Sequence, residues 1–163
     1  MKAVLPLALV AALGGCANEP ERQRPRPDGI SALAPVDDGI PLGALPRQTL
    51  PPGQCGVFLW KAGPGARLVL TAKAEPAIAR ILLSGVQTDL PRTAGGDIGA
   101  GQTRTTYSDG STSVVLDLSV EQRPGLTQGA AIPSGSLRLD IAGGSSFVVP
   151  VTGLLACVPA AAR

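Results

Sequence analysis

Apolar and polar residues alternate with a period of two over most of the chain from Cys55 onward. In the segment 112–121, for example, Leu116 and Leu118 fall on one side, and Asp117, Ser119 and Glu121 fall on the other. Successive side chains of a β-strand point to opposite faces, so this alternation is typical of strands with one buried face. The pattern therefore predicts a β-domain.

Turn signals separate the alternating segments. Ser108-Asp109-Gly110-Ser111 predicts a hairpin, because Asp-Gly tolerates the positive φ angles of tight turns. The segment 75–83 is rich in alanine and could instead be helical, although Pro76 and its isoleucines leave this open. The predicted strands cover residues 56–60, 67–73, 77–83, 86–92, 103–107, 112–121, 137–141 and 146–151. They predict an all-β fold, a small antiparallel sandwich or barrel of about seven or eight strands.

The first sixteen residues have the organisation of an export signal. Lys2 supplies a positive charge, and residues 3–13 form an apolar run that is too short to cross a bilayer. The run ends in Leu13-Gly14-Gly15-Cys16, which resembles the lipobox of bacterial lipoproteins. A plain secretory signal and an uncleaved anchor are the alternatives for this segment.

The resemblance implies that Cys16 is lipidated and becomes the first residue of the mature protein. Its acyl chains would then hold the protein on a membrane, since two or three chains anchor stably. Because Ala17 and not aspartate follows the cysteine, the resemblance implies the outer membrane, with the domain facing the periplasm or the cell surface. We therefore predict a signal peptide (1–15), a lipid-anchored tether (16–53) and a β-domain (54–163).

The predicted tether is defined by proline. Eight of the 16 prolines of the chain fall between residues 17 and 53, so neither a helix nor a central strand can propagate there. We expect a semi-extended segment without a stable fold of its own. Ile40 and Leu42 could pack on the domain, which leaves the boundary open.

Cys55 and Cys157 are the two cysteines that remain after Cys16. An even pair of cysteines in an exported protein predicts a disulfide, and two free thiols are the alternative. Cys55 begins the first predicted strand and Cys157 follows the last. The disulfide would therefore join the first strand of the domain to its last strand.

Composition excludes several classes of function. Without the signal, 13 basic and 12 acidic residues remain, and this balance argues against a clustered basic surface that would bind nucleic acid. The chain contains no histidine, so catalytic triads and metal sites that depend on histidine are excluded. We predict no cofactor and no metal site. Among the few aromatic residues, Phe58 and Phe147 are expected to fill the core, and Trp60 is expected to be partly buried, with a ligand platform as its alternative role.

The polar loop between Pro91 and Arg104 is the largest irregular region predicted inside the domain. Loops on rigid scaffolds often carry function, so its polar side chains form a possible binding loop, with a solvated connector as the alternative. Asp89 and Asp97 are expected in loops, without an evident partner. The binding-loop residues are Arg92, Asp97, Gln102 and Arg104.

Two functions from different classes stay open. The first is a non-catalytic binding or structural module of the envelope, which contacts another envelope protein or peptidoglycan. Small disulfide-bearing β-barrel lipoproteins that inhibit lysozyme are similar in general architecture only. The second is an envelope hydrolase that uses carboxylates or a Ser/Lys pair, for example Ser84 or Ser111 with Lys61 or Lys73. No catalytic residue is assigned from the sequence.

Overall fold

The structure, a computed structural model, describes residues 38–160. The predicted signal peptide, Cys16 and most of the predicted tether lie outside these residues. The described residues form eight antiparallel strands, each paired with its neighbours in chain order, that close into a barrel. The strands are β1 (Cys55–Lys61), β2 (Leu68–Lys73), β3 (Ile78–Leu83), β4 (Val86–Gly95), β5 (Gly101–Ser108), β6 (Thr112–Glu121), β7 (Gly129–Ile141) and β8 (Ser145–Cys157).

Pairing between the first and last strands closes the barrel. β1 and β8 run antiparallel in unbroken register from Cys55 opposite Cys157 to Lys61 opposite Val151. The two cysteines form a disulfide, as predicted, across 102 positions of sequence. A cross-link over a loop of this length removes roughly 4 to 5 kcal/mol of chain entropy from the unfolded state. The closure is therefore both hydrogen-bonded and covalent.

Aliphatic side chains fill the interior of the barrel. The alternation predicted from the sequence is observed: along β6, residues 114, 116, 118 and 120 are buried, whereas the residues between them are partly exposed. Strand β3 occupies most of the segment that could have been helical, and its Ala79 and Ile81 are fully buried. The helical alternative is thus wrong, because these residues complete the interior only at a period of two. The fully buried large side chains are Leu59, Leu70, Ile81, Leu90, Leu116, Leu118, Ile132, Leu137, Leu139, Val69, Val114 and Val149.

A glycine permits the close contact between β8 and β1. Gly153 lies opposite Leu59, and a Cβ at this position would clash with the Phe58 carbonyl oxygen and lie 2.8 Å from a Leu59 side-chain carbon. The absent side chain leaves room for Leu59 inside the barrel. Close approach of this kind is a common reason for glycine within a strand.

The aromatic residues do not all lie where the sequence predicts. Phe147 packs against the core, as expected, but Phe58 alternates with the buried Val57 and Leu59 and therefore lies on the outer side of β1. There it stacks with Trp60, with 6.4 Å between the ring centroids and 26° between the ring planes. The expectation that Phe58 fills the core is wrong. The aromatic side chain that is fully buried in the interior is instead that of Tyr107.

Part of the proline-rich segment packs on the barrel. Leu42 forms a β-bridge with Leu83, and the backbone N–H of Leu45 donates to the Leu68 carbonyl at 2.8 Å. The exposed fractions of Leu42 and Leu45 are 2% and 6%, and Leu42 belongs to the core. Of the two possibilities left open by the sequence, the structure contains the one in which residues before 54 pack on the domain. Proline excludes regular strands here, but single bridges and apolar contacts need no regular strand.

The burial of Leu42 makes its contribution measurable. We expect Leu42→Ala to lower the free energy of unfolding by about 2 to 5 kcal/mol, because it removes buried methyl groups and leaves a cavity. Val86→Ala is the matched control, since Val86 is 66% exposed and its truncation should cost less than about 0.5 kcal/mol. Urea denaturation of both variants measures the difference. Equal stabilities would show that the segment does not contribute to the core.

Candidate functional site

One end of the barrel, which we call the mouth, is open. It lies where β1 begins and β8 ends, and it contains a cavity of about 210 Å³. Apolar side chains form most of the wall, and charged side chains stand at the rim. The lining residues are Cys55, Gly56, Val57, Ala72, Lys73, Ala74, Arg92, Asp97, Ile98, Tyr107 and Leu155.

Arg92 enters the mouth from β4. Its neighbours in the strand, Pro91 and Thr93, are exposed. Arg92 lies two positions after the buried Leu90, so it is on the same face of the strand and points inward. Its Nη1 donates to Oδ1 of Asp97 at 2.6 Å, which raises the pKa of the guanidinium. The Asp97 side chain is 78% exposed, so this pair stands at the edge of the solvent. The structure thus brings two of the predicted binding-loop residues together.

Tyr107 lies behind Arg92 on the neighbouring strand. The two residues face each other across the β4–β5 pairing, and Tyr107 is 2% exposed. Burial raises the pKa of its phenol, which therefore stays protonated at neutral pH. Among residues 38–160 the hydroxyl forms no hydrogen bond. The hydroxyl is not one of the fully buried unpaired atoms of these residues, so it is open to the cavity and has no protein partner there.

Gln102 and Arg104 do not join this group. Both are exposed, and Arg104 lies outside the barrel, where its Nη1 is 3.6 Å from Oδ1 of Asp117 on β6. Strand β4 continues to Gly95 and β5 starts at Gly101, so the loop is shorter than the sequence suggested. The four residues therefore divide between two faces of the sheet.

Asp89 has a partner, contrary to the sequence-based expectation. It lies within β4 opposite Arg80, and the guanidinium donates to both carboxylate oxygens at 2.6 and 2.7 Å. These hydrogen bonds lower the pKa of Asp89. Asp97 likewise has Arg92. The sequence could not show either pair, because cross-strand contacts depend on register.

Two of the serines and lysines considered for a hydrolase, Ser111 and Lys61, are hydrogen-bonded to aspartates. The Ser111 hydroxyl donates to Asp109 at 2.9 Å within the β5–β6 turn, and the Lys61 ammonium donates to Asp38. No hydrogen bond between Ser84 or Ser111 and either lysine occurs among residues 38–160. The same residues contain no group of three or more Cys, Asp or Glu side chains that could hold a metal ion.

A second feature lies on the outer surface, and we call it the β1–β8 face. It consists of Phe58, Trp60, Thr152 and Leu154, of which Leu154 is 39% exposed. Beside Trp60 and Leu154 runs a shallow groove of about 380 Å³. The groove is also lined by Ala66, Arg123, Ala131, Ile132, Pro133 and Gly153. Sequence reasoning missed this face, although the outward pairing of Phe58 and Trp60 at positions two apart was a signal for it.

A third feature, a cluster of charges, lies at the end of β1 opposite the mouth. Asp38 accepts hydrogen bonds from Lys61 and from Nη2 of Arg67, the latter at 2.9 Å. The exposed fractions of the three side chains are only 16 to 18%. The hydrogen bond from Lys61 is the largest cause that holds the pKa of Asp38 far below its usual value. The cluster fixes the segment before Leu42 to the barrel.

This lowered pKa makes the stability of the barrel depend on pH in a defined direction. A carboxyl group whose pKa is lower in the folded state stabilises the fold above its unfolded pKa, here 3.8, and loses this effect as the pH falls. We expect Asp38→Asn to cost about 1 kcal/mol at pH 7. The difference from the unsubstituted protein should shrink progressively below about pH 4.

Thermal unfolding between pH 2 and pH 7 tests the expectation. Asp117→Asn is the matched control, because its ion pair with Arg104 is 3.6 Å long and both side chains are about half exposed or more. This control should change stability by less than about 0.5 kcal/mol. A cost of Asp38→Asn that did not change with pH would contradict the assignment.

Comparison with known proteins finds no matching family model, no similar curated protein and no similar solved structure. Within residues 38–160, no helix is long and apolar enough to span a membrane.

Proposed function

We propose that this protein is a lipid-anchored envelope lipoprotein whose barrel is a non-catalytic module that binds another envelope protein. The observation that carries the proposal is the stacked pair of Phe58 and Trp60 on the outside of the barrel. Aromatic side chains outside a closed barrel do not stabilise its interior. They are, however, the residues that most often contribute binding energy at protein interfaces.

The closed sheet restricts how a partner can bind. Strand β1 is paired with β2 on one side and with β8 on the other, so its backbone offers no free edge for pairing with another chain. Recognition at the β1–β8 face must therefore use side chains. On the β1–β8 face these are Phe58, Trp60 and Leu154, beside a groove that could accept one or two apolar side chains of a partner.

The chemistry of this face favours a protein over peptidoglycan. Its groove is lined mainly by apolar groups, and Arg123 is the charged residue in the lining. A glycan strand would need several hydrogen-bonding groups that face it, whereas an aliphatic or aromatic side chain needs only the apolar wall. We therefore propose a protein partner that inserts an apolar side chain beside Trp60.

The hydrolase is the second hypothesis, and the carboxylates supply a physical argument against it. General acid catalysis near neutral pH needs a carboxyl group whose pKa is raised. Hydrogen bonds instead lower the pKa values of Asp38, Asp89, Asp109 and Asp140. These four groups are ionised at neutral pH and have no proton to give.

The anchor is tested at Cys16. The mature protein should begin with an acylated cysteine and partition into detergent, and Cys16→Ser should abolish both properties, because the thiol is the acceptor of the lipid. Intact-mass measurement of protein purified from the outer membrane measures the modification. An unmodified thiol, or cleavage at another bond, would contradict the proposal.

The β1–β8 face is tested by site-specific crosslinking in cells. A photoreactive amino acid at Thr152, which is exposed beside Trp60, should capture one defined protein partner. The same amino acid at Gln102, on the outside of β5, should not. Trp60→Ala should reduce the yield at position 152 about tenfold or more, since hot-spot truncations usually cost at least about 2 kcal/mol.

Leu126→Ala is the matched control, because Leu126 is 46% exposed but lies in the β6–β7 loop outside the groove. It should leave the yield unchanged. Equal crosslinking with and without Trp60 would overturn the proposed interface. Retention of the chain on purified peptidoglycan that also required Trp60 would point instead to the glycan.

A further inference from the structure

We propose that the mouth of the barrel binds a small organic carboxylate with an aliphatic body, and that Arg92 and Tyr107 hold its carboxylate. This site is separate from the β1–β8 face, and the inference goes beyond the proposed function. It rests on three observations: a cavity, a hydroxyl that is open to this cavity and has no partner among residues 38–160, and an inward-pointing guanidinium.

The cavity is the first observation. The rest of the interior is filled by aliphatic side chains, whereas about 210 Å³ stays open beneath the rim. Its apolar wall includes Val57, Ala72, Ile98 and Leu155. Eight-stranded barrels have just enough interior to hold one small ligand. Because an apolar cavity of about 150 Å³ accepts benzene, this one has room for roughly eight non-hydrogen atoms.

The hydroxyl of Tyr107 is the second observation. The side chain is 98% buried, since its exposed fraction is 2%, and it lines the cavity. The hydroxyl itself is not fully buried, so it is open to the cavity. Among the described residues nothing satisfies it. A ligand oxygen at the rim would accept this hydrogen bond.

Arg92 is the third observation, and it determines the charge of the ligand. Of the five N–H donors of a guanidinium, Arg92 uses one on Asp97, and the others have no acceptor among residues 38–160. Lys73 adds a second cation to the lining, against the single carboxylate of Asp97. The rim therefore has an excess of positive charge. A carboxylate suits a planar guanidinium with free donors.

Asp97 acts as a competitor for the guanidinium. Its side chain is 78% exposed, so its ion pair with Arg92 is screened by water and weak. A ligand carboxylate in the partly buried mouth would be screened less. Removal of the Asp97 charge should therefore strengthen ligand binding, whereas removal of the Arg92 charge should weaken it.

Octanoate is the probe that fits, because the seven aliphatic carbons of its chain fit the cavity and its carboxylate can reach the rim. Calorimetric titration uses the full chain with Cys16→Ser, which cannot carry acyl chains that would compete for the cavity. We expect a dissociation constant on the order of 0.1 mM for the unsubstituted mouth. Octanol, which lacks the charge, should bind at least about tenfold more weakly.

The variants should change the affinity for octanoate in opposite directions. Arg92→Gln should weaken octanoate binding about tenfold or more, and Tyr107→Phe about threefold, whereas Asp97→Asn should tighten it about threefold. Arg104→Gln is the matched control on the outer face of β5 and should change nothing. Ala72→Met, which fills the cavity, should abolish binding of octanoate and octanol alike.

Unfolding temperatures of each variant without ligand show whether the barrel is intact. If Ala72→Met unfolds, the opposite effects of Arg92→Gln and Asp97→Asn still decide the question. No heat of binding up to 5 mM octanoate, roughly fifty times the expected dissociation constant, would overturn the proposal. Equal affinity of the unsubstituted protein and of Arg92→Gln for octanoate would also overturn it, because this result would indicate adsorption of a surfactant to the outer surface.

Discussion

Without the seven residue pairs that join β1 to β8, the other surfaces of this molecule would not exist in their present form. An open eight-stranded meander would expose two strand edges and one apolar face. Closure turns that face inward and leaves the opposite face of every strand in water. The disulfide between Cys55 and Cys157 lies at the end of this pairing and at the rim of the mouth. The pairing that closes the barrel, the disulfide and the candidate ligand site therefore all lie at the start of β1.

Closure also separates the two candidate surfaces. Side chains on the same face of β1 as Val57 line the interior and its mouth, whereas side chains on the same face as Phe58 lie outside. Consecutive residues of one strand thus serve different surfaces. The proposed partner on the outer face and the proposed ligand in the mouth would therefore not compete, since neither surface uses the side chains of the other.

Much of the fold follows from the sequence, because a period of two and glycine-containing turns are local signals. The hairpin at Asp109-Gly110 and the strand of residues 112–121 are examples. The orientation of β1 was not predictable in the same way. Both of its faces are apolar, so alternation alone could not show that Phe58 lies outside and Leu59 inside. Only the pairing with β8, where Gly153 leaves space for Leu59, decides this.

The candidate site was predictable in part. Arg92 and Asp97 stood out because they are polar residues around a turn, and the structure brings them together. Tyr107 did not stand out. It is fifteen residues away in sequence, and its place opposite Arg92 depends on the register of β4 and β5. Leu42 stood out only as a residue that could pack on the domain, since the proline-rich composition around it predicts a tether and gives no sign of a single β-bridge.

The attachment of the segment before Cys55 has a mechanical consequence. Its contacts with the barrel follow one another along the chain: the Asp38 ion pairs, the Leu42–Leu83 bridge and the Leu45–Leu68 hydrogen bond. A force that pulls the N-terminal segment away from the barrel would act on these contacts in this order, so they would break one after another. Beyond them the load reaches Cys55, where the covalent link passes it directly to Cys157. The strands between the two cysteines would bear almost none of it, and the ring would stay closed while its attachment was stripped away.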